Sequence, residues 1–291
     1  MLFVIARKFV FFAAMALQIA SLNSGSNGNC YYIGNDEDAV LIDAGISCRE
    51  IERRMAERQL SLSKVKAIFI SHEHSDHIRG LAKLANKYRL PVYITDKTAL
   101  RGPFLIKHLS QSFCAEEKIQ IGSLCITAFS KKHDADDPHS FIISHNGVTV
   151  GVITDIGTAC EQVVKYFRQC HAVFLESNYD EDMLLNGRYP YYLKTRISSD
   201  VGHLSNSQAL ELFLNHRPAF MSHVFLSHLS KDNNSPEIAA AMFAEHAGDV
   251  NVVVASRYEA SEVYTIFGGE TIVQKTITTH RPVQLGLFDL G

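Results

Sequence analysis

Short apolar runs alternate along the chain with clusters of turn-forming residues, and the period within each run predicts its element. Leu17, Ile19 and Leu22 open a strand that leads into Ser24-Gly25-Ser26-Asn27-Gly28-Asn29. Apolar runs at 30–33 and 39–42, split by Gly34-Asn35-Asp36, predict a hairpin ending in Asp43-Ala44-Gly45. Over 47–59 the period lengthens. Ile51, Met55 and Leu60 mark one face and Arg49, Glu50, Arg53, Arg54, Glu57 and Arg58 fill the other, which predicts an amphipathic helix. The continuous apolar run 65–70 predicts a buried strand, and a helix follows over 78–88. Further strands are expected at 91–94, 117–120, 124–129, 140–145 and 148–153, a helix at 158–168 and a strand at 171–175. Helices at 205–214 and 236–246 flank a strand at 219–226, and short strands near 250–254, 262–267 and 271–276 close the chain. No internal repeat or low-complexity linker interrupts this order. Strand-rich halves with helices between them imply an α/β chain: two sheets packed together, helices outside.

Composition narrows the function. The chain has 291 residues and a formal net charge of −3, so it is no global polycation, and contact with nucleic acid requires a local patch. The six cysteines include no C-x-x-C pair, which argues against thiolate zinc knuckles and a disulfide framework. Arg7 and Lys8 followed by an apolar run to Leu17 imitate a secretory signal, and the run is too short for a confident membrane span. Cleavage near Ala20 would remove half of the first strand. The expectation is therefore a cytoplasmic protein without stable membrane association, with residues 1–14 as an extension and 15–291 as one domain.

The 14 histidines cluster. His72-Glu73-His74-Ser75-Asp76-His77 follows the buried strand directly. Neutral imidazoles with a carboxylate suit zinc, manganese or iron. In an extended turn residues two apart point the same way, so His72 and His74 can hold one ion while Asp76 and His77 face a second. His108, His145, His171, His216, His223, His246 and His280 lack partner spacing.

The H-x-H-x-D-H pattern after an apolar strand resembles the signature of the metallo-β-lactamase superfamily. Asp43, His133, Asp155 and His228 stand in that family's order of later and earlier motifs. The resemblance implies an αββα sandwich of two mixed β-sheets flanked by helices, with the site at the strand ends. It implies that His72, His74 and His133 bind one metal, that Asp76, His77 and His228 bind another, and that Asp155 bridges them. His133 is preferred over His139 as the single later ligand. Two divalent ions, zinc or manganese, about 3.5–4 Å apart would hold a bridging hydroxide as nucleophile. Asp43 is expected to orient a ligand histidine from behind.

Three features lean toward phosphodiesters. The turn with Ser24, Ser26, Asn27 and Asn29 can bring backbone N–H groups to an anion. Gly202-His203-Leu204-Ser205-Asn206 precedes a helix with Ser205 as N-cap. His203 resembles the histidine that nuclease branches of the superfamily keep between the bridging aspartate and the last ligand, and Glu176 is a candidate to orient it. Thirdly, Arg188, Lys194 and Arg196 interleave with tyrosines between two site motifs, where phosphates and unpaired bases would pass. Together with Glu176-Ser177-Asn178 and the run from His228 to Asn234, these motifs are similar to the WalJ/YycJ-type exonucleases. That resemblance implies a 5′-to-3′ exonuclease acting on DNA, with Asp76, His203 and Glu176 at the chemistry. The rival reading is a small-molecule hydrolase for a lactam, thioester or lactone.

Overall fold

A computed structural model of the protein describes residues 16–101 and 106–268. The expected extension over 1–14 and the closing strand near 271–276 lie outside these residues. The first sheet has the order β14-β1-β2-β3-β4-β5-β6, formed by β1 (Ala16–Asn23), β2 (Cys30–Gly34), β3 (Ala39–Ile42), β4 (Val65–Phe69), β5 (Val92–Tyr93), β6 (Ser110–Gln111) and β14 (Tyr264–Phe267). The second has the order β13-β12-β11-β10-β9-β8-β7, from β7 (Lys118–Ile121), β8 (Leu124–Ser130), β9 (His139–His145), β10 (Val148–Ile153), β11 (Ala172–Glu176), β12 (His223–Ser227) and β13 (Asn251–Val254). Both sheets are mixed: β3 to β6 and β10 to β13 pair in parallel, the others antiparallel.

Alternating side chains send one set of apolar groups inward from each sheet. Leu17, Tyr31, Val40 and Phe69 meet Phe141, Val152, Phe174 and Phe225 between the sheets. Tyr31 and Phe174 stack across this seam with ring centroids 4.9 Å apart. The opposite set is covered by helices. On the first sheet lie α1 (Cys48–Glu57) and, in the same apolar layer, Leu81 and Leu84. On the second lie Val163, Phe167, Leu212, Phe213 and Phe243. Four layers, αββα, result, as the family resemblance implied.

Several elements differ from the sequence expectation. The helix over 78–88 is two pieces, α2 (Ser75–Ile78) and α3 (Leu81–Tyr88), separated at Gly80. A β-carbon on Gly80 would lie 2.0 Å from the Ile46 carbonyl oxygen, so the chain passes there only as glycine. This break frees α2 to carry Asp76 and His77. The strand expected from 219 begins only at His223. Helices α4 (Asp96–Arg101), α6 (Glu181–Asn186) and α7 (Tyr191–Ile197) were not expected, nor was β6; α5 (Glu161–Phe167) was. Helix α7 buries no residue and so has no apolar period to betray it. Arg54 and Arg58 do not line a solvated face. Arg54 is buried and donates to the carbonyls of Leu22 and Tyr258 and to Asn23, while Arg58 donates to the carbonyl of Ala260. Arg54 on α1 thus fastens the segment before β14 to the end of β1, and Arg58, just past the helix, holds the same segment.

The residue before β2 and the stretch after β3 dock the α2 turn through backbone bonds: Asn29 N to Asp76 O, Ala44 N to His77 O, and Gly80 N to Ala44 O, at 2.7–2.8 Å. A β-carbon on Gly45 would lie 1.6 Å from Asp76 O. Gly45→Ala is expected to destabilise the protein by about 1–3 kcal/mol through forced overpacking. The check is urea denaturation of the variant beside the wild-type protein.

Candidate metal centre

The parallel strands end on one side of the sandwich, and their C-terminal ends supply the chemistry, as in open α/β sheets generally. Asp43 follows β3, Ser71 and His72 follow β4, Asp155 follows β10, Glu176 ends β11 and His228 follows β12. Asp43, Asp155 and His228 have φ of 60°, 53° and 58°, the left-handed region that non-glycine residues rarely adopt. Three of the strands therefore turn sharply at their last step, aiming a polar side chain back across the site. Such conformations persist where surrounding structure over-determines them.

The structure brings together the seven expected ligands. His72, His74 and His133 offer donor atoms within 4.8 Å of one another, as do Asp76, His77 and His228. Asp155 lies between the groups: its carboxylate is 3.4 Å from His77 Nε2, 3.9 Å from His133 Nε2 and 3.4 Å from His228 Nδ1. His139 stays outside. Its Nδ1 bonds the Asp137 carbonyl and its ring packs on Phe113. Among the described residues, none of the remaining histidines enters a cluster of potential ligands except His203.

Four of the histidines are held from behind by Nδ1, leaving Nε2 directed inward; His74 differs, its Nδ1 lying 3.0 Å from His72 Nε2. His77 Nδ1 donates to Asp43 Oδ2 at 2.7 Å, His133 Nδ1 to Gly202 O at 3.1 Å, and His228 Nδ1 to Glu176 Oε1 at 3.0 Å. His72 Nδ1 lies 2.9 Å from Ser71 Oγ. Asp43 is fixed in turn by the backbone N–H and hydroxyl of Ser71, each at 2.8 Å. Fixing one ring nitrogen sets the tautomer and aims the other, the arrangement that metal-binding histidines use. His133 Nε2, His228 Nε2 and Asp155 Oδ2 are buried without hydrogen-bond partners. Unpaired buried polar atoms are costly, and three converging on one spot fit cations as the missing partners.

Electrostatics separate the two groups. Burial pulls His72 well below the ordinary imidazole range, and it pulls His133 down to about 4 despite Asp155. On the other side burial is outweighed. Asp155, Asp43 and Asp76 push His77 well up, and Asp155, Asp76 and Glu176 push His228 up to about 10. Burial opposes ionisation of Asp155, but His228 and His77 hold its carboxyl well below the carboxylate range. Sequence reasoning missed Lys131. This buried amine donates to the Thr154 carbonyl at 2.7 Å; burial lowers its pKa, against the pull of Asp155, Asp43, Glu176 and Asp76. Nothing in its sequence context marks it as buried. Also missed as a support is Asn234, whose amide donates to the carbonyls of Ser177 and Asn178 and to Asn206 Oδ1 beneath His228.

His203 stands at the mouth, its ring centroid 5.3 Å from that of His133 and 5.2 Å from that of His228. Its Nδ1 donates to Glu176 Oε1 at 2.8 Å. Ser205 caps α8 (Asn206–His216) in a reciprocal capping box with Gln208, which fixes the chain just after His203. In the 24–29 turn, Ser24 and Asn29 are buried and bonded internally. Ser24 Oγ accepts from His228 N at 2.8 Å, and the Asn29 amide donates to Asp76 Oδ2 at 3.2 Å. Their side chains brace the site rather than face outward, whereas Ser26 and Asn27 are exposed. Arg188 is exposed, Lys194 donates to the Leu185 carbonyl at 2.6 Å, and Arg196 pairs with Asp134 beside His133.

Fold and ligand set define the class as a metal-dependent hydrolase. The sequence profile of the β-lactamase superfamily domain matches residues 38–228, and the chain belongs to that superfamily. It is 37% identical to the exodeoxyribonuclease YycJ of Bacillus anthracis over 229 residues, covering 77% of this chain and 87% of that protein. It is 33% identical to the exodeoxyribonuclease WalJ of Streptococcus pneumoniae serotype 2 over 227 residues, 75% of this chain and 83% of that one. In fold it is similar to the crystal structure of the metallo-β-lactamase fold protein YhfI from Bacillus subtilis, with a TM-score of 0.67 and 15% identity, covering 86% of this chain and 99% of that one.

Metal ligation requires neutral imidazole, so the two groups should load differently. Burial pulls His133 down to about 4, toward the neutral form, whereas Asp155, Asp76 and Glu176 push His228 up to about 10, toward the protonated form. Zinc or manganese titration is expected to show two equivalents per chain. One should bind without proton release and one with release, its affinity rising with pH. Calorimetry in buffers of different ionisation enthalpy checks this; Asp43→Asn is expected to weaken the proton-releasing site about 10–100-fold.

Proposed function

We propose that this protein is a dinuclear metal-dependent phosphodiesterase, a 5′-to-3′ exonuclease on DNA. The observation that carries the reading is the His203–Glu176 pair at the mouth of a seven-ligand site. A site for a small neutral acyl substrate has no evident use for a second anchored histidine there. A phosphodiester does, because its leaving oxygen needs a proton and its phosphoryl group gains negative charge. The similarity to exodeoxyribonucleases YycJ and WalJ, spread over three-quarters of the chain, supports DNA as substrate.

In this reading His72, His74 and His133 would hold one ion and Asp76, His77 and His228 a second, with Asp155 available to either. When bound, zinc or manganese would supply a water of pKa about 7 and neutralise phosphoryl charge. Glu176 keeps the Nδ1 proton of His203 and so aims Nε2 toward the substrate. Asp43 and Glu176 keep His77 and His228 oriented, and the bond from the Gly202 carbonyl to His133 ties the His203 segment to the ligand set. Arg188, Lys194 and Arg196, with exposed Tyr191 and Tyr192, form the lip along which a strand lies, phosphates on cations and bases on rings. All six cysteines are free, which supports a cytoplasmic setting. No described helix is long and apolar enough to cross a membrane.

The test is incubation of zinc- and manganese-loaded protein with end-labelled DNA and RNA bearing 5′-phosphate or 5′-hydroxyl ends. Stepwise loss of DNA from the 5′ end is expected. His74→Ala should abolish cleavage in a folded protein, and His203→Ala should lower kcat about 10²–10⁴-fold with metal content unchanged. Inertness on every polymer, or only a mild effect of His203→Ala on the true substrate, moves the assignment to a small-molecule hydrolase.

A further inference from the structure

The tip of the 24–29 turn carries two arginines that the catalytic reading leaves unused. Arg79 follows His77 on the site-facing turn, is exposed, and donates from Nη1 to the Asn27 carbonyl at 3.1 Å. Arg257, from the loop after β13, donates from Nη2 to Ser26 Oγ at 3.1 Å, and its own carbonyl accepts from the Asn27 amide at 2.7 Å. Two guanidinium groups, 178 positions apart in sequence, therefore each bond one of two adjacent exposed residues. Among the described residues neither has a carboxylate within 4.0 Å, unlike Arg53, Arg101 and Arg196, which are all ion-paired. Arg257 Nη1 is moreover buried without a hydrogen-bond partner.

The tip does not drift relative to the metal centre. Ser24 is bonded through its hydroxyl to the backbone of His228 and through its N–H to the Ser256 carbonyl, and Asn29 reaches Asp76. Gly25 and Gly28 have φ of 139° and 147°, and a β-carbon on Gly28 would lie 2.4 Å from Ile46 Cγ2, so the turn has one shape. A single guanidinium on a surface loop is an ordinary solvated cation. Two unneutralised ones, braced on one rigid tip beside the ligands His77 and His228, form a preformed anion site. Planar forks with spare N–H groups suit tetrahedral phosphate oxygens.

We infer that Arg79 and Arg257 clamp a phosphate of the nucleic-acid strand other than the one being cut. This inference rests on the phosphodiesterase reading above and adds a second contact point. It gives the enzyme a grip on polymeric substrate that is independent of the metals. The arginines bind; they do not take part in the chemistry.

The experiment measures binding of metal-loaded, full-length protein to a phosphorothioate-linked single-stranded oligonucleotide by fluorescence anisotropy across a salt series. Arg79→Met and Arg257→Met are each expected to weaken binding about five- to tenfold. Each should reduce the slope of log affinity against log salt by about 0.7, the value for one lost phosphate contact on a single strand. Arg257→Lys should keep most of the slope, which guards against a folding defect in the methionine variant. Arg53→Met, an ion-paired arginine on α1, should leave the slope unchanged. Equal losses on 5′-phosphorylated and 5′-hydroxyl strands identify an internal phosphate, and losses confined to the former identify the terminal one. Tight wild-type binding with full slope retained in both methionine variants overturns the inference and leaves the phosphodiesterase reading standing. A wild-type protein that neither binds nor cuts DNA overturns both.

Discussion

The structure depends on a charge problem and its solution. Asp43, Asp155 and Glu176 are wholly or almost wholly buried, and Asp76 is close by with a partly exposed side chain. Two like charges 4 Å apart repel by about 4 kcal/mol at an effective dielectric of 20, so such a group holds together only if cations share its space. These carboxylates push His77 and His228 up, toward their protonated forms, and the buried Lys131 amine lies within their pull. The same carboxylates that raise the affinity of these two rings for protons are the ones expected to raise their affinity for divalent ions. Metal and proton thus compete for one electrostatic well.

The scaffold's contribution is to make that well before anything binds. Parallel strands deliver backbone to a common edge, and left-handed turns at Asp43, Asp155 and His228 redirect it. The αββα packing below, with aromatic rings interlocked across the seam, holds the strand ends in register. Backbone hydrogen bonds between the 43–45 and 75–80 stretches then join the first sheet to the helical turn that bears Asp76 and His77.

Much of this was legible in the sequence because its signals are local. The six-residue run from His72 to His77 is self-evident, and apolar periodicity marked most strands and the α1, α5, α8 and α9 (Pro236–Ala244) helices. What stayed hidden depends on long-range packing. Lys131 and Arg54 look like surface cations, and only the folded chain shows them buried among carbonyls and carboxylates. Helix α7 carries no buried side chain, so its tyrosines and cations read as loop. The 24–29 turn looked like a row of available donors, yet Ser24 and Asn29 spend theirs inside. Arg257 is more than two hundred residues from Ser26 along the chain, beyond any motif.

One oxygen atom has an outsized reach. Glu176 Oε1 accepts from both His203 and His228, while Oε2 accepts from the Ile156 backbone beside Asp155. The two rings lean on a shared support, so neither can be reoriented, neutralised or replaced without disturbing the other. A change at one ring is therefore felt at its companion through a single shared acceptor.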